Sequence, residues 1–132
     1  MLKTLIVDDN ASFRHSFREH LCQHAPGIEV VETGSAREAL AKFAETSPDL
    51  VFIDIDLGGE SGLDLTRKIR SLHGDTIIAV LTNYDLPEYR EAAGESGANF
   101  FFSKGASSME DVLAVVDTVL FDKSRQGELE IP

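Results

Sequence analysis

Between Pro48-Asp49 and a run of glycines (Gly58, Gly59, Gly62), the chain passes through Leu50-Val51-Phe52-Ile53 without one polar side chain. It then meets Asp54. A run this short, rich in branched residues and fenced by turn formers, specifies a strand rather than a helix. It does not alternate apolar with polar, so both of its faces must be covered, as in a parallel sheet. Asp54 then stands at the carboxyl end of a central strand, where open α/β sheets hold their ligands.

The same succession recurs along the chain. Lys3-Thr4-Leu5-Ile6-Val7 is a strand running into Asp8-Asp9. Asn10 to about His24 carries Phe13, Phe17 and Leu21 at helical spacing, a core stripe. Ile28 to Glu32 is a strand after the Pro26-Gly27 turn. Ser35-Ala36-Arg37-Glu38 is a capping box opening a helix with Ala39, Leu40 and Phe43, which ends near Thr46-Ser47-Pro48. After the Leu50 strand, Ser61 to Leu72 is a helix with Leu65, Ile69 and Leu72 on one side. Thr76 to Leu81 is a strand ending at Thr82. Asp85-Leu86-Pro87-Glu88 resembles a second capping box before a short helix weakened by Gly94. Ala98 to Phe102 is the last strand, ending at Ser103-Lys104, with Phe100 and Phe102 facing the core and Phe101 the other side. Ser107-Ser108-Met109-Glu110 caps a final helix with a stripe of Val112, Val115, Val116, Val119 and Leu120. Five β/α units predict a flavodoxin-like (βα)5 fold, a doubly wound five-stranded parallel sheet of order 2-1-3-4-5. One domain over residues 1–120 is expected, with residues 121–132 a polar tail or the start of a linker.

At 132 residues and 42% apolar, the chain suits one globular domain with a core that needs no staples. No run approaches the ~18 apolar residues of a membrane span. The N-terminus enters a strand pattern directly, so no signal peptide is expected. The single cysteine, Cys22, excludes an internal disulfide and fits a reducing, cytoplasmic setting, as a small buried hydrophobe or a helix-end thiol. A net charge of −11 repels phosphate backbones, so this segment is expected to bind no nucleic acid directly. His15, His20, His24 and His73 show no ligand spacing and are expected on helix surfaces.

The strand ends collect chemistry. Asp8 and Asp9 follow the first strand, Asp54 and then Asp56 the third, Thr82 the fourth and Lys104 the fifth. In the 2-1-3-4-5 order the first and third strands are neighbours at the switch point. Singly, these residues read as a helix cap, a turn residue, a β-branched strand residue and a solvated lysine. Together they place three acids, a hydroxyl and an ammonium in one crevice. Crowded carboxylates must raise a pKa or bind a cation. Hard oxygen donors with room for water favour Mg²⁺. A phosphoryl group drawn to that charge finds donors in Thr82 and Lys104. Asp54, preceded by four apolar residues, is the candidate nucleophile, forming an acyl phosphate.

This set, spread over residues 2–120, resembles the signature of response-regulator receiver domains of two-component signalling. The resemblance implies that Asp54 accepts phosphate from a sensor histidine kinase or a small phosphodonor. It implies that Asp9, Asp54 and the Asp56 carbonyl bind Mg²⁺, with Asp8 acting through water. It implies a switch pair, Thr82 and Phe101, that reshapes the surface of the fourth helix, fifth strand and fifth helix. Homodimerisation, or control of an output domain or partner, would follow. Such a domain promotes its own phosphorylation and dephosphorylation and is not a conventional turnover enzyme. The Phe13-Arg14 and Lys104-Gly105-Ala106 stretches are most similar to receivers that precede a helix-turn-helix output domain in transcription regulation. Departures are Gly105 in place of proline, Phe101 in place of tyrosine, Asn83 after the switch threonine, and Leu57-Gly58, which is expected to leave its loop looser. Two other readings compete. A small Mg²⁺-dependent aspartyl-phosphate phosphatase would use Asp56 as proton donor, and a flavodoxin-like cofactor binder would need a phosphate loop where two aspartates stand.

Overall fold

The computed structural model describes residues 1–129. Five strands, β1 (Leu2–Val7), β2 (Ile28–Thr33), β3 (Leu50–Ile53), β4 (Ile77–Thr82) and β5 (Phe100–Ser103), form one parallel sheet of order β2-β1-β3-β4-β5. Five helices alternate with them: α1 (Ala11–His24), α2 (Ala36–Thr46), α3 (Gly62–Leu72), α4 (Pro87–Ser96) and α5 (Met109–Leu129). The sheet order and element types are those expected from the five recurring units.

Strand alternation decides which helix goes where. In β1, Leu2 and Ile6 point to a layer holding Phe17 and Leu21 of α1 and Val112 and Val116 of α5. Leu5 and Val7 point to the opposite layer, with Phe43 of α2 and Leu65 and Ile69 of α3. Strand β3 sends Phe52 one way and Val51 and Ile53 the other, and all four of its side chains are buried. Phe17 meets Phe52 edge to face, their ring centroids 4.9 Å apart.

Several local expectations are corrected. Leu72 is 61% exposed, because α3 ends there, and of that stripe Leu65 and Ile69 reach the core. Phe100, on the edge strand β5, is also exposed and stacks on Phe102 instead of entering the core. Of the two expectations for Cys22 the second holds: it is an exposed thiol in the last turn of α1, not a buried hydrophobe. Asp85 caps nothing: Pro87 occupies the first turn of α4, the N-cap falls on Leu86, and Asp85 turns to Arg90 at 3.8 Å. Ser35 does cap α2, accepting from the Glu38 N–H. Helix α5 does not stop at Leu120 but continues through residues expected to be a tail. Once residues 109–120, packed along one face by Val112, Val115 and Val116, have formed a helix, each further residue adds a hydrogen bond at little cost. Lys123 then ties this extension to the sheet through the Met1 carbonyl and the Asp49 carboxylate. The remainder of the expected tail, residues 130–132, lies outside the described residues. No described helix is long and apolar enough to cross a membrane.

The loop after Asp54 is also tighter than expected. Asp56–Leu57 pairs antiparallel with Glu60–Ser61, and Gly58 and Gly59 close the turn with φ of 65° and 100°. Two consecutive positive-φ residues match the twist of a hairpin, so the glycines order this loop rather than loosen it.

Candidate functional site

Register brings the strand ends level. Val7 pairs with Ile53, so the residues that follow them, Asp8 and Asp54, stand side by side. Ladder hydrogen bonds continue one residue past each strand: Asp8 N–H donates to the Thr33 carbonyl, Asp54 N–H to the Val7 carbonyl and Lys104 N–H to the Thr82 carbonyl. The functional side chains therefore leave a rigid rim rather than a loop.

Asp8, Asp9 and Asp54 each offer a carboxylate oxygen, all within 4.8 Å of one another. Lys104 Nζ lies 2.6 Å from Asp8 Oδ2 and 3.0 Å from Asp54 Oδ2, and sits 4.0 Å above the centre of the Phe13 ring. A buried ammonium is thus shared by two buried carboxylates and an aromatic face. Burial lifts the Asp8 carboxyl above the ordinary carboxylate range, more than Lys104 and the Asn10 N–H pull it down. Burial alone would lower Lys104, but its bonds to Asp8 and Asp54 outweigh that and hold its ammonium above the usual lysine value. One ammonium, paired with Asp8 and Asp54, stands against three acids, so negative charge is left over. Asp9 is exposed and accepts no hydrogen bond among the described residues. A set of convergent hard oxygens, one of them free, fits a divalent cation.

These groups wall a cavity of about 160 Å³ that also includes Asp56, Asn83 and Tyr84. The Asp56 carboxylate accepts from the Gly58 N–H at 3.2 Å and the Tyr84 hydroxyl at 3.3 Å. Asp56 holds the tyrosine phenol above its ordinary pKa, because a phenolate there would face a carboxylate. Thr82 is fully buried; its Oγ1 accepts the Tyr84 N–H, and its side chain does not line the cavity. Phe101 is half-buried beside Tyr89, Val80 and Ala93, with the Arg90 guanidinium 4.7 Å from its ring centre. The structure thus gathers Asp8, Asp9, Asp54 and Lys104 directly, puts Asp56 on the wall, and sets Thr82 and Phe101 behind it.

Two contributors escaped the sequence reading. Phe13 looked like core stripe; it is half-buried, stacked on Phe17, and supports Lys104. Gly62 looked like a loop residue, yet a Cβ there would sit 1.9 Å from the Asp54 carbonyl oxygen. Helix α3 begins against the backbone of Asp54, and only glycine fits.

The sequence model of the family described as the response regulator receiver domain matches residues 4–117. The chain belongs to that family. This receiver is 33% identical over 119 residues to the response regulator MprA of Mycolicibacterium vanbaalenii, covering 90% of this chain and 50% of that one. It is 35% identical over 116 residues to the oxygen regulatory protein NreC of Staphylococcus epidermidis, covering 86% and 53%. The chain thus spans about half the length of these curated relatives. Among solved structures, a Burkholderia pseudomallei response regulator with a phosphorylated aspartic acid, calcium ion and citrate superposes with a TM-score of 0.80 at 27% identity, over 100% of this chain and 76% of that one. A CheY-like receiver domain protein from Methanospirillum hungatei superposes at 0.84 and 25% identity, over 96% and 98%.

Proposed function

We propose that Asp54 is the phosphoacceptor of this receiver, taking a phosphoryl group from a sensor histidine kinase or a small phosphodonor. The observation that carries this is the meeting of Asp54 with Lys104 and two further carboxylates at the end of β3. An Asp54 oxygen attacks phosphorus, and the bond from phosphorus to the donor atom breaks, its electron pair leaving with the donor. Lys104, already hydrogen-bonded to Asp54, neutralises the incoming phosphoryl oxygens. Asp8, Asp9, Asp54 and the Asp56 carbonyl would hold Mg²⁺, which when bound offsets the charge that phosphate adds to a cluster of acids. Thr82 Oγ1, released from the Tyr84 N–H, supplies a further donor. Its move toward the phosphoryl group would let the half-buried Phe101 ring swing inward.

The surface that changes is then α4, β5 and α5, which would carry a homodimer contact or an output domain in a longer protein. Relatives twice as long support that part of the reading. The setting is cytoplasmic, and this segment contacts protein partners, not nucleic acid or membrane. The receiver acts as a self-modifying switch, its Asp56 carboxylate held beside the pocket by the Gly58 N–H and the Tyr84 hydroxyl.

The test is treatment with Mg²⁺ and a small acyl phosphate. One labile adduct of ~80 Da is expected, and none on Asp54→Asn. An adduct that persists in Asp54→Asn removes the assignment.

A further inference from the structure

The Asp9 carboxylate has no hydrogen-bond partner among the described residues, so no hydrogen bond to its side chain fixes its place in the acid cluster and the course of its backbone matters. The peptide joining Asp8 to Asp9 has left the sheet ladder, and its carbonyl would be an orphan there. That carbonyl is taken by Arg14: the guanidinium Nη1, from one turn inside α1, donates to the Asp8 oxygen. The Arg14 side chain is only 16% exposed. Its Nε reaches Glu32 of β2 at 3.3 Å, and Glu32, itself 11% exposed, is also met by His15 at 2.8 Å and Arg18 at 3.4 Å. The guanidinium is therefore oriented from behind by a nearly buried carboxylate, whose charge also offsets its own beside a cation site. Gly34 leaves the room this needs, since a Cβ there would lie 3.3 Å from Nη1 and 4.0 Å from the Asp8 oxygen.

We infer that Arg14 is a positioning residue: by clamping the Asp8–Asp9 peptide to α1 and β2, it presets the Asp9 carboxylate for the divalent cation. This rests on the reading of the acid pocket as a cation site.

The sign of the effect separates positioning from charge. Removing a positive group near a cation site should tighten binding by Coulomb's law, whereas loss of positioning weakens it. The experiment is calorimetric titration of the unphosphorylated protein with MgCl₂, with thermal melting in metal-free buffer alongside. Arg14→Met is expected to weaken Mg²⁺ about tenfold. Arg18→Met, which loses a Glu32 contact but touches nothing at Asp8, should stay within about twofold of wild type. If Arg14→Met folds poorly, Gly34→Ala keeps the arginine, crowds its fork, and should weaken Mg²⁺ by roughly threefold. Unchanged or tighter binding in Arg14→Met, equal loss in Arg18→Met, or a folded Gly34→Ala with wild-type affinity overturns the inference. Wild-type protein that binds no Mg²⁺ instead overturns the underlying reading of the pocket, and this inference with it.

Discussion

Lys104 is the cation on which the metal-free pocket depends. Its side chain and those of Asp8 and Asp54 are at most 10% exposed, so removing the ammonium leaves two desolvated carboxylates facing each other. Breaking a buried pair from one side costs several kcal/mol. Lys104→Met is therefore expected to lose about 3 kcal/mol in urea unfolding without metal, and to recover much of it in millimolar Mg²⁺. Equal stability with and without Lys104 would show that the acids are not mutually strained. Gly62 sets a second, purely steric demand. With the Asp54 carbonyl 1.9 Å from where its Cβ would stand, Gly62→Ala must push β3 and α3 apart. A loss of at least about 3 kcal/mol is expected, measurable as a lowered denaturation midpoint at unchanged slope. Nothing in the sequence announces this, because a glycine needed for close approach looks the same as one needed for a turn.

Elements could be read where a single physical pattern governs them. The four apolar residues of β3 and the Ser35 cap determine their own structures and appear as expected, although the Glu38 carboxylate accepts from the Gly34 N–H rather than from that of Ser35. Asp85 and residues 121–129 did not follow their local pattern, because a proline reset one helix start and an already packed helix carried its end onward. The hairpin at Gly58-Gly59 was missed as an element, since a lone glycine pair does not reveal whether it loosens a chain or closes a turn. Its backbone makes a clear demand: Gly59 has φ of 100° and open space around its Cβ position. Gly59→Ala should cost about 1 kcal/mol through backbone strain alone, while Gly27→Ala, with no such φ, should be near neutral. Between α1 and β2 the clamp at Glu32 makes a pH prediction. Burial works against its carboxylate, but His15, Arg18 and Arg14 prevail and hold Glu32 below the ordinary value of 4.5. A depressed folded pKa means that its stabilisation is complete above the unfolded pKa and is lost as pH falls through the folded one. Stability of the wild type should thus exceed that of Glu32→Gln at neutral pH and fall more steeply as the pH drops below about 4.5. Parallel acid-unfolding curves for the two proteins would contradict the clamp.

For the whole molecule, the site was legible because topology converts sequence distance into proximity. Asp8, Asp54 and Thr82 each follow an apolar run, Lys104 comes one serine after another, and parallel strands in register bring such residues to one rim. What sequence order cannot give is depth: Thr82 and Phe101 lie behind the cavity wall, and Phe13 and Arg14 reach the site from α1, where spacing marks only the Phe13 core stripe. The same rim concentrates charge in a chain already at −11. Folding the metal-free protein must press three carboxylates together against one ammonium, so a divalent cation that binds only the folded form should stabilise it by mass action. At a concentration one hundredfold above its Kd, Mg²⁺ is expected to add about 2.7 kcal/mol, raising the melting temperature by several degrees. Asp9→Asn makes the sharpest comparison, because this side chain is exposed and hydrogen-bonded to nothing described. Its removal should leave the metal-free protein as stable as wild type or slightly more so, since one repulsive charge is gone, while abolishing most of the Mg²⁺-dependent rise. Melting curves of both proteins over a magnesium series decide it: an undiminished rise in Asp9→Asn would mean that the cation is held elsewhere, and the three-acid rim would lose its role.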